Sequence, residues 1–171
     1  MKSLFKVFLA FGILLSSGFA LADAVDSQLG VGVSVGSDDG VTMLYKYSEE
    51  NALQGGLSIG DQQKSASLDY LKLYNKSIGN GEGVVVPYVG VGGFYSKESA
   101  KEVVKMENEN GSVIVKEGRD GEKVGVRIPI GLQINVPKTP MQFAVELAPS
   151  LQVEPEVNSY LDSMLGVRVM F

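Results

Sequence analysis

The chain has no histidine and no cysteine, which narrows the chemistry open to it. Enzymes that cleave or transfer acyl chains, and many proteases, lean on an imidazole as general base. Without imidazole or thiolate ligands, typical transition-metal sites are also excluded. Carboxylates remain. Asp38, Asp39 and Asp61 fall in polar connections, where they either bind calcium or magnesium weakly or stay solvated. The more telling charges stand singly among apolar neighbours: Lys46, Arg127, Glu146 and Arg168, with Asp69 a fifth candidate. No two acids in these segments form a convincing catalytic pair. The reading is of a protein that is not an enzyme and that needs no cofactor or metal.

The setting of those charges explains their isolation. Val124, Val126, Ile128, Ile130, Leu132, Ile134 and Val136 alternate with Gly125, Arg127, Pro129, Gly131, Gln133 and Asn135. A period of two is the mark of a strand with one apolar and one polar face. Met141, Phe143, Val145, Leu147, Leu151 and Val153 repeat it against Gln142, Ala144, Glu146, Ser150 and Gln152. Leu29, Val31, Val33 and Val35 do so against glycines and Ser34, and Val41, Met43, Tyr45 and Tyr47 against Thr42, Lys46 and Ser48. The patterning predicts eight strands, near 27–36, 40–48, 52–61, 66–76, 84–96, 123–136, 140–153 and 160–171. The fourth has apolar residues on both faces, so its orientation stays open. The Gly-x-Gly spacings lie within strands with no helix following, so they are not phosphate-binding loops. Gly30, Gly32, Gly90, Gly92, Gly125 and Gly131 instead leave room for long side chains opposite.

The N-terminus reads as a targeting segment. Lys2 and Lys6 precede an apolar run from Val7 to Leu15, and Ala20-Leu21-Ala22 fits a cleavage site. The sequence therefore predicts a signal peptide over 1–22, with an uncleaved anchor as the alternative, and one domain over 23–171. Removing two lysines and no acid takes the net charge from −5 to −7. An acidic domain without a basic run does not suit nucleic acid. Beyond residue 22 no apolar stretch approaches the roughly 18 residues of a spanning helix. A membrane location therefore requires a closed barrel, because nothing else satisfies the backbone in lipid.

Connection lengths fit such a barrel. Turns near 49–51, 78–83 and 137–140 are short, whereas residues 97–122 form a long loop on the opposite, extracellular side. Within it Asn110-Gly111 favours a hairpin, with a short helix over 99–106 as the rival.

At the C-terminus Leu165, Val167, Val169 and Phe171 alternate with Gly166, Arg168 and Met170. This segment resembles the closing strand of bacterial outer-membrane barrels, which the barrel-assembly machinery reads. The Val86-Pro87-Tyr88-Val89-Gly90-Val91-Gly92-Gly93-Phe94-Tyr95 run looks like a Pro-Tyr-x-Gly-x-Gly strand common among them. The last third adds a Pro-flanked turn, Phe143…Glu146…Pro149 and Gly166-x-Arg168-x-x-Phe171. The chain thus resembles small eight-stranded barrels of the OmpA/OmpX/opacity type, nearest to uncharacterised members. The resemblance implies an all-β, antiparallel up-and-down transmembrane barrel in the bacterial cell outer membrane, and it transfers no catalytic residue.

In that fold Lys46, Arg127, Glu146 and Arg168 form an interior charge network. An interior of this size is filled by side chains, and buried charges there must pair. Centring the last hairpin near Val157 sets Glu146 opposite Arg168, with Arg127 joining from strand six. The expected role is structural or interactive at the cell surface. Its expected partners are outer-membrane lipid, the assembly machinery and an undefined surface partner. A soluble periplasmic lipocalin-like barrel holding an apolar ligand inside is the alternative, and a narrow porin-like pore the third reading.

Overall fold

The computed structural model describes residues 28–37, 39–59, 63–74, 84–98, 106–107, 113–114 and 121–171. The expected signal peptide, the Asn110-Gly111 turn, the 78–83 turn and the acids Asp38 and Asp61 lie outside them.

The alternating segments form β1 (Leu29–Gly36), β2 (Gly40–Ser48), β3 (Asn51–Ile59), β4 (Gln63–Leu73) and β5 (Val84–Glu98). After the two-residue strands β6 (Met106–Glu107) and β7 (Val113–Ile114) come β8 (Gly121–Arg127), β9 (Ile130–Asn135), β10 (Met141–Glu154) and β11 (Asn158–Met170). Every neighbouring pair in the large sheet is antiparallel, and β11 pairs back onto β1 from Gly30↔Met170 to Gly36↔Met164. The sheet is therefore a closed ring with no free edge, the arrangement that removes unpaired backbone groups.

The sixth strand expected over 123–136 is interrupted. β8 and β9 keep one register on both neighbours: Gly92↔Arg127 continues as Val89↔Ile130, and Ser150↔Arg127 as Leu147↔Ile130. Pro129 between them has no N–H to give the ladder. The two segments are halves of one strand, so the ring has eight. Pro129 still accepts through its carbonyl from the Gly90 N–H at 2.7 Å.

The apolar rows point outward. Val126, Ile128, Ile130 and Leu132 are exposed, and Leu68 and Leu165 are 64% and 56% exposed. The inward rows carry the buried polar groups Thr42, Gln54, Asp69, Gln133, Gln142, Glu146 and Arg168. β4 is thereby oriented: Leu68, Tyr70 and Tyr74 face out, while Asp69, Leu71 and Leu73 face in. Its two-sided apolar character has a cause in the interior. Leu44, Ala52, Leu71, Leu73, Val86, Tyr88 and Met170 form an apolar cluster that fills the end of the barrel carrying the short turns.

Those turns are Glu49–Glu50 between β2 and β3, and 136–140 between β9 and β10, where Lys138 has φ 58°. At the opposite, loop end, β6 and β7 pair as a small sheet of their own, with Met106↔Ile114 and Glu107↔Val113. That antiparallel pairing is compatible with the hairpin expected within residues 97–122, whose turn lies outside the described residues, but it stands apart from β5 and β8 instead of extending them.

Candidate functional site

Midway along the barrel, inward positions of five strands converge on Glu146. On β10 every second residue from Gln142 to Gln152 is buried, which carries a carboxylate into the interior with its backbone satisfied by the ladders to β9 and β11. Arg127, at the end of β8, donates from Nη2 to Glu146 Oε1. Arg127 Nε lies 3.3 Å from Asp69 Oδ1, so one guanidinium faces two carboxylates. Glu146 Oε2 also accepts from Gln54 Nε2 and from Tyr88 Oη, both at 2.7 Å.

Arg168, fully buried, sits on the other side of Gln54. Its Nη2 donates to Gln54 Oε1 and, at 3.0 Å, to Thr42 Oγ1, and its Nη1 donates to Gln142 Oε1 at 3.1 Å. The Gln54 amide therefore links the two halves, accepting from Arg168 and donating to Glu146. Two arginines and two carboxylates balance within this layer, as buried charge requires.

The expected cross-strand pair of Glu146 with Arg168 does not form. Arg168 is opposite Gln142, and Glu146 is opposite Met164. Strand β10 runs on to Glu154 and β11 begins at Asn158, so the hairpin is centred two residues before Val157. The direct partner of Glu146 is Arg127, and Arg168 is held by neutral oxygens. Lys46 has the inward parity of Thr42 and Leu44 but sits half-buried beside the β2–β3 turn, away from the middle layer. Asp69 takes its place as the fourth charged group of the layer.

Gln54, Tyr88, Thr42 and Gln142 escape a search for charges alone. The available signal was their inward parity level with a charge: Gln54 is opposite Asp69, and Tyr88 is opposite Gly131. A Cβ on Gly131 would lie 2.6 Å from the Tyr88 hydroxyl and 2.4 Å from the Val145 carbonyl oxygen. Glycine there lets Tyr88 cross to Glu146. Gly92 does the same for Asp69, whose Oδ1 would lie 2.0 Å from a Cβ.

In the expected C-terminal assembly row, Leu165 is outward and exposed, Val167 and Phe171 are partly exposed, and Val169 is buried at 9%. The row is sealed into the ring by β1 and β10, and the Phe171 carbonyl accepts from the N–H groups of Gln28 and Leu29 at 3.1 and 3.2 Å.

On the outer surface, ion pairs sit at the two ends. Lys72 bonds Glu50 at 2.6 Å on the turn side, and this contact holds the Glu50 carboxyl below the usual carboxylate range. Lys97 pairs with Glu122 at 3.1 Å on the loop side, while Lys123 and Glu98, which have inward parity, pair at the loop-side mouth of the interior. Among the described residues no three carboxylates come together to hold a metal.

The fold has a solved counterpart. The chain superposes on the crystal structure of the N-terminal β-barrel domain of Pseudomonas aeruginosa OprF with a TM-score of 0.54, over 84% of this chain and 96% of that one. The chain has the fold of an OmpA-type β-barrel. At 16% identity the likeness is one of fold. No protein-family model and no curated protein matches the sequence.

Proposed function

We propose that the protein is an integral β-barrel of the bacterial outer membrane, with a structural or surface-interaction role and no catalysis. The observation that carries this is the inversion of its faces. On all eight strands apolar side chains point out, while the charged layer is enclosed. Water would penalise such a surface, since contiguous apolar patches this extensive mark a non-aqueous environment or a partner. A lipocalin-like barrel needs the reverse, with the apolar rows of β8 to β11 lining a cavity.

The dimensions support lipid as that environment. Along β4 the outward residues between Lys64 and Lys72 are Ala66, Leu68 and Tyr70. Eight residues at about 3.3 Å span about 26 Å along the strand, or about 20 Å of height at a tilt of about 40°. That approaches the apolar band of about 25 Å in barrels of this kind. Tyr45, Tyr47, Tyr70 and Tyr74 flank the turn side of this band and Tyr95 its loop side, all exposed, as interfacial aromatics are. Tyr70 Oη donates to Asn51 Oδ1 at 2.7 Å, tying one of them to the turn.

The turn-side apolar cluster favours a sealed scaffold over a pore, because a continuous water path would have to pass Leu44, Leu71 and Tyr88. Surface interaction falls in this account to the 97–122 loop. Fractionation of expressing cells tests the assignment. The protein should sediment with outer membranes, resist carbonate extraction and migrate differently in gels with and without boiling. Recovery in the soluble periplasmic fraction sinks it.

A further inference from the structure

Above the charged layer the barrel interior changes character. The turn side is filled by apolar side chains, but toward the loops the inward positions of β1, β3 and β4 are Ser34, Ser58, Ser65 and Ser67. They line a narrow cavity that opens toward the loops. Its floor contains Thr42, Gln54 and Glu146, each at most 3% exposed, together with Arg127. A second, roomier cavity of about 380 Å³ adjoins it beneath the taller wall of β5, β8, β10 and β11, the two share Ser37, Arg127 and Asp162, and together they have room for a monosaccharide. At that wall the rings of Phe94 and Tyr160 meet edge to face with centroids 5.7 Å apart. Gly125 makes this possible, since a Cβ there would lie 2.4 Å from the Phe94 ring. Among the described residues the result is a blind cup, closed by the turn-side cluster.

We infer that this cup binds a small, neutral, polyhydroxylated solute of monosaccharide size. The charges of the floor already balance: Arg127 engages Glu146 and Asp69, and Arg168 is held by Gln54, Thr42 and Gln142; on the wall of the second cavity Lys123 is paired with Glu98. An ion entering the cup would have to compete with those pairs. An apolar molecule would strip water from the serine walls without replacing its hydrogen bonds, which is unfavourable. Hydroxyl walls both donate and accept, matching a polyol. Asp162, whose Oδ2 accepts from Ser150 Oγ at 2.7 Å, adds a carboxylate acceptor to the shared wall. The Phe94–Tyr160 pair supplies an apolar surface for the C–H face of a sugar ring. Few convergent polar groups beside an aromatic wall are the usual makings of a small-molecule site.

The inference is independent of where the barrel resides, since it concerns the interior alone. It is tested on the folded, isotope-labelled protein in detergent micelles by amide NMR, with D-glucose and myo-inositol as probes and sodium chloride and inorganic phosphate as comparisons. A polyol should shift the amides of Ser65, Ser67 and Asp162 saturably, with a Kd of order millimolar. Ser65→Val, which removes a wall hydroxyl, and Tyr160→Ala, which opens the aromatic wall, should each weaken binding about tenfold. Boiled and unboiled gel mobility verifies that each variant is folded, and either folded variant suffices. The inference is overturned by the absence of saturable shifts with both polyols or by saturable shifts with phosphate alone. Polyol binding that a folded cup variant leaves unchanged overturns it equally.

Discussion

Glu146→Ala should lower the stability of the folded barrel by about 3–5 kcal/mol, the usual loss when one partner of a buried ion pair is removed. Three donors end on this carboxylate: the Arg127 guanidinium, the Gln54 amide and the Tyr88 hydroxyl. Alanine leaves Arg127 facing Asp69 alone and strands two buried neutral donors, the Gln54 amide and the Tyr88 hydroxyl. Each stranded neutral donor is itself expected to cost about 1–3 kcal/mol. Glu146→Gln keeps the volume and an acceptor oxygen, so its loss should be clearly smaller. Replacing Arg127 and Glu146 together by apolar residues should cost less than the sum of the single changes, since neither strands the other, and the cost that remains is that of Asp69, which loses Arg127. Urea unfolding from detergent micelles, followed by circular dichroism, reads all of these. An unchanged midpoint for Glu146→Ala contradicts the pairing.

The second large effect belongs to the outer face. Leu68 lies midway between Lys64 and Lys72 on the outward side of β4. Leu68→Arg should therefore cost about 2–4 kcal/mol in lipid vesicles, and Ala66→Arg, nearer the loop-side boundary, about 0–1 kcal/mol. The depth dependence is the informative part. On a water-facing strand neither substitution should cost more than about 0.5 kcal/mol, the ordinary range for surface changes. Equal and small losses in vesicles would count against lipid contact at Leu68.

The strands were legible because alternation is a direct image of a two-faced sheet. β10 is the clearest case, with every even residue from Gln142 to Gln152 buried and Phe143 through Val153 exposed at odd positions. Alternation fails where both environments are apolar. β4 reads ambiguously because Leu71 and Leu73 enter the turn-side cluster while Leu68 and Tyr70 face outward. It also hides the break at Pro129, since an imino residue at an inward position preserves the pattern while removing a ladder donor.

The interior layer was legible only in part. Parity placed Arg127, Glu146 and Arg168 on inward rows, where the structure has them. Pairing depends on register, and a hairpin centre displaced by two residues moves every cross-strand partner by four. Arg168 therefore faces Gln142 rather than Glu146. Neutral amides then do what a second carboxylate was expected to do, with Gln54 joining Arg168 to Glu146. Nothing in the local sequence around Gln54 distinguishes it from an ordinary inward polar residue. Its role follows only from the ring closing and bringing β3 across from β10.

The central claim is that the apolar rows face lipid, and the absence of native tryptophan makes it directly measurable. A single tryptophan introduced as Leu132→Trp, on the outward row of β9, serves as the probe in vesicles containing lipids brominated along their acyl chains. The account predicts blue-shifted emission that the brominated lipids quench strongly. Emission unaffected by those lipids, from protein that is folded and remains with the vesicles, would contradict it.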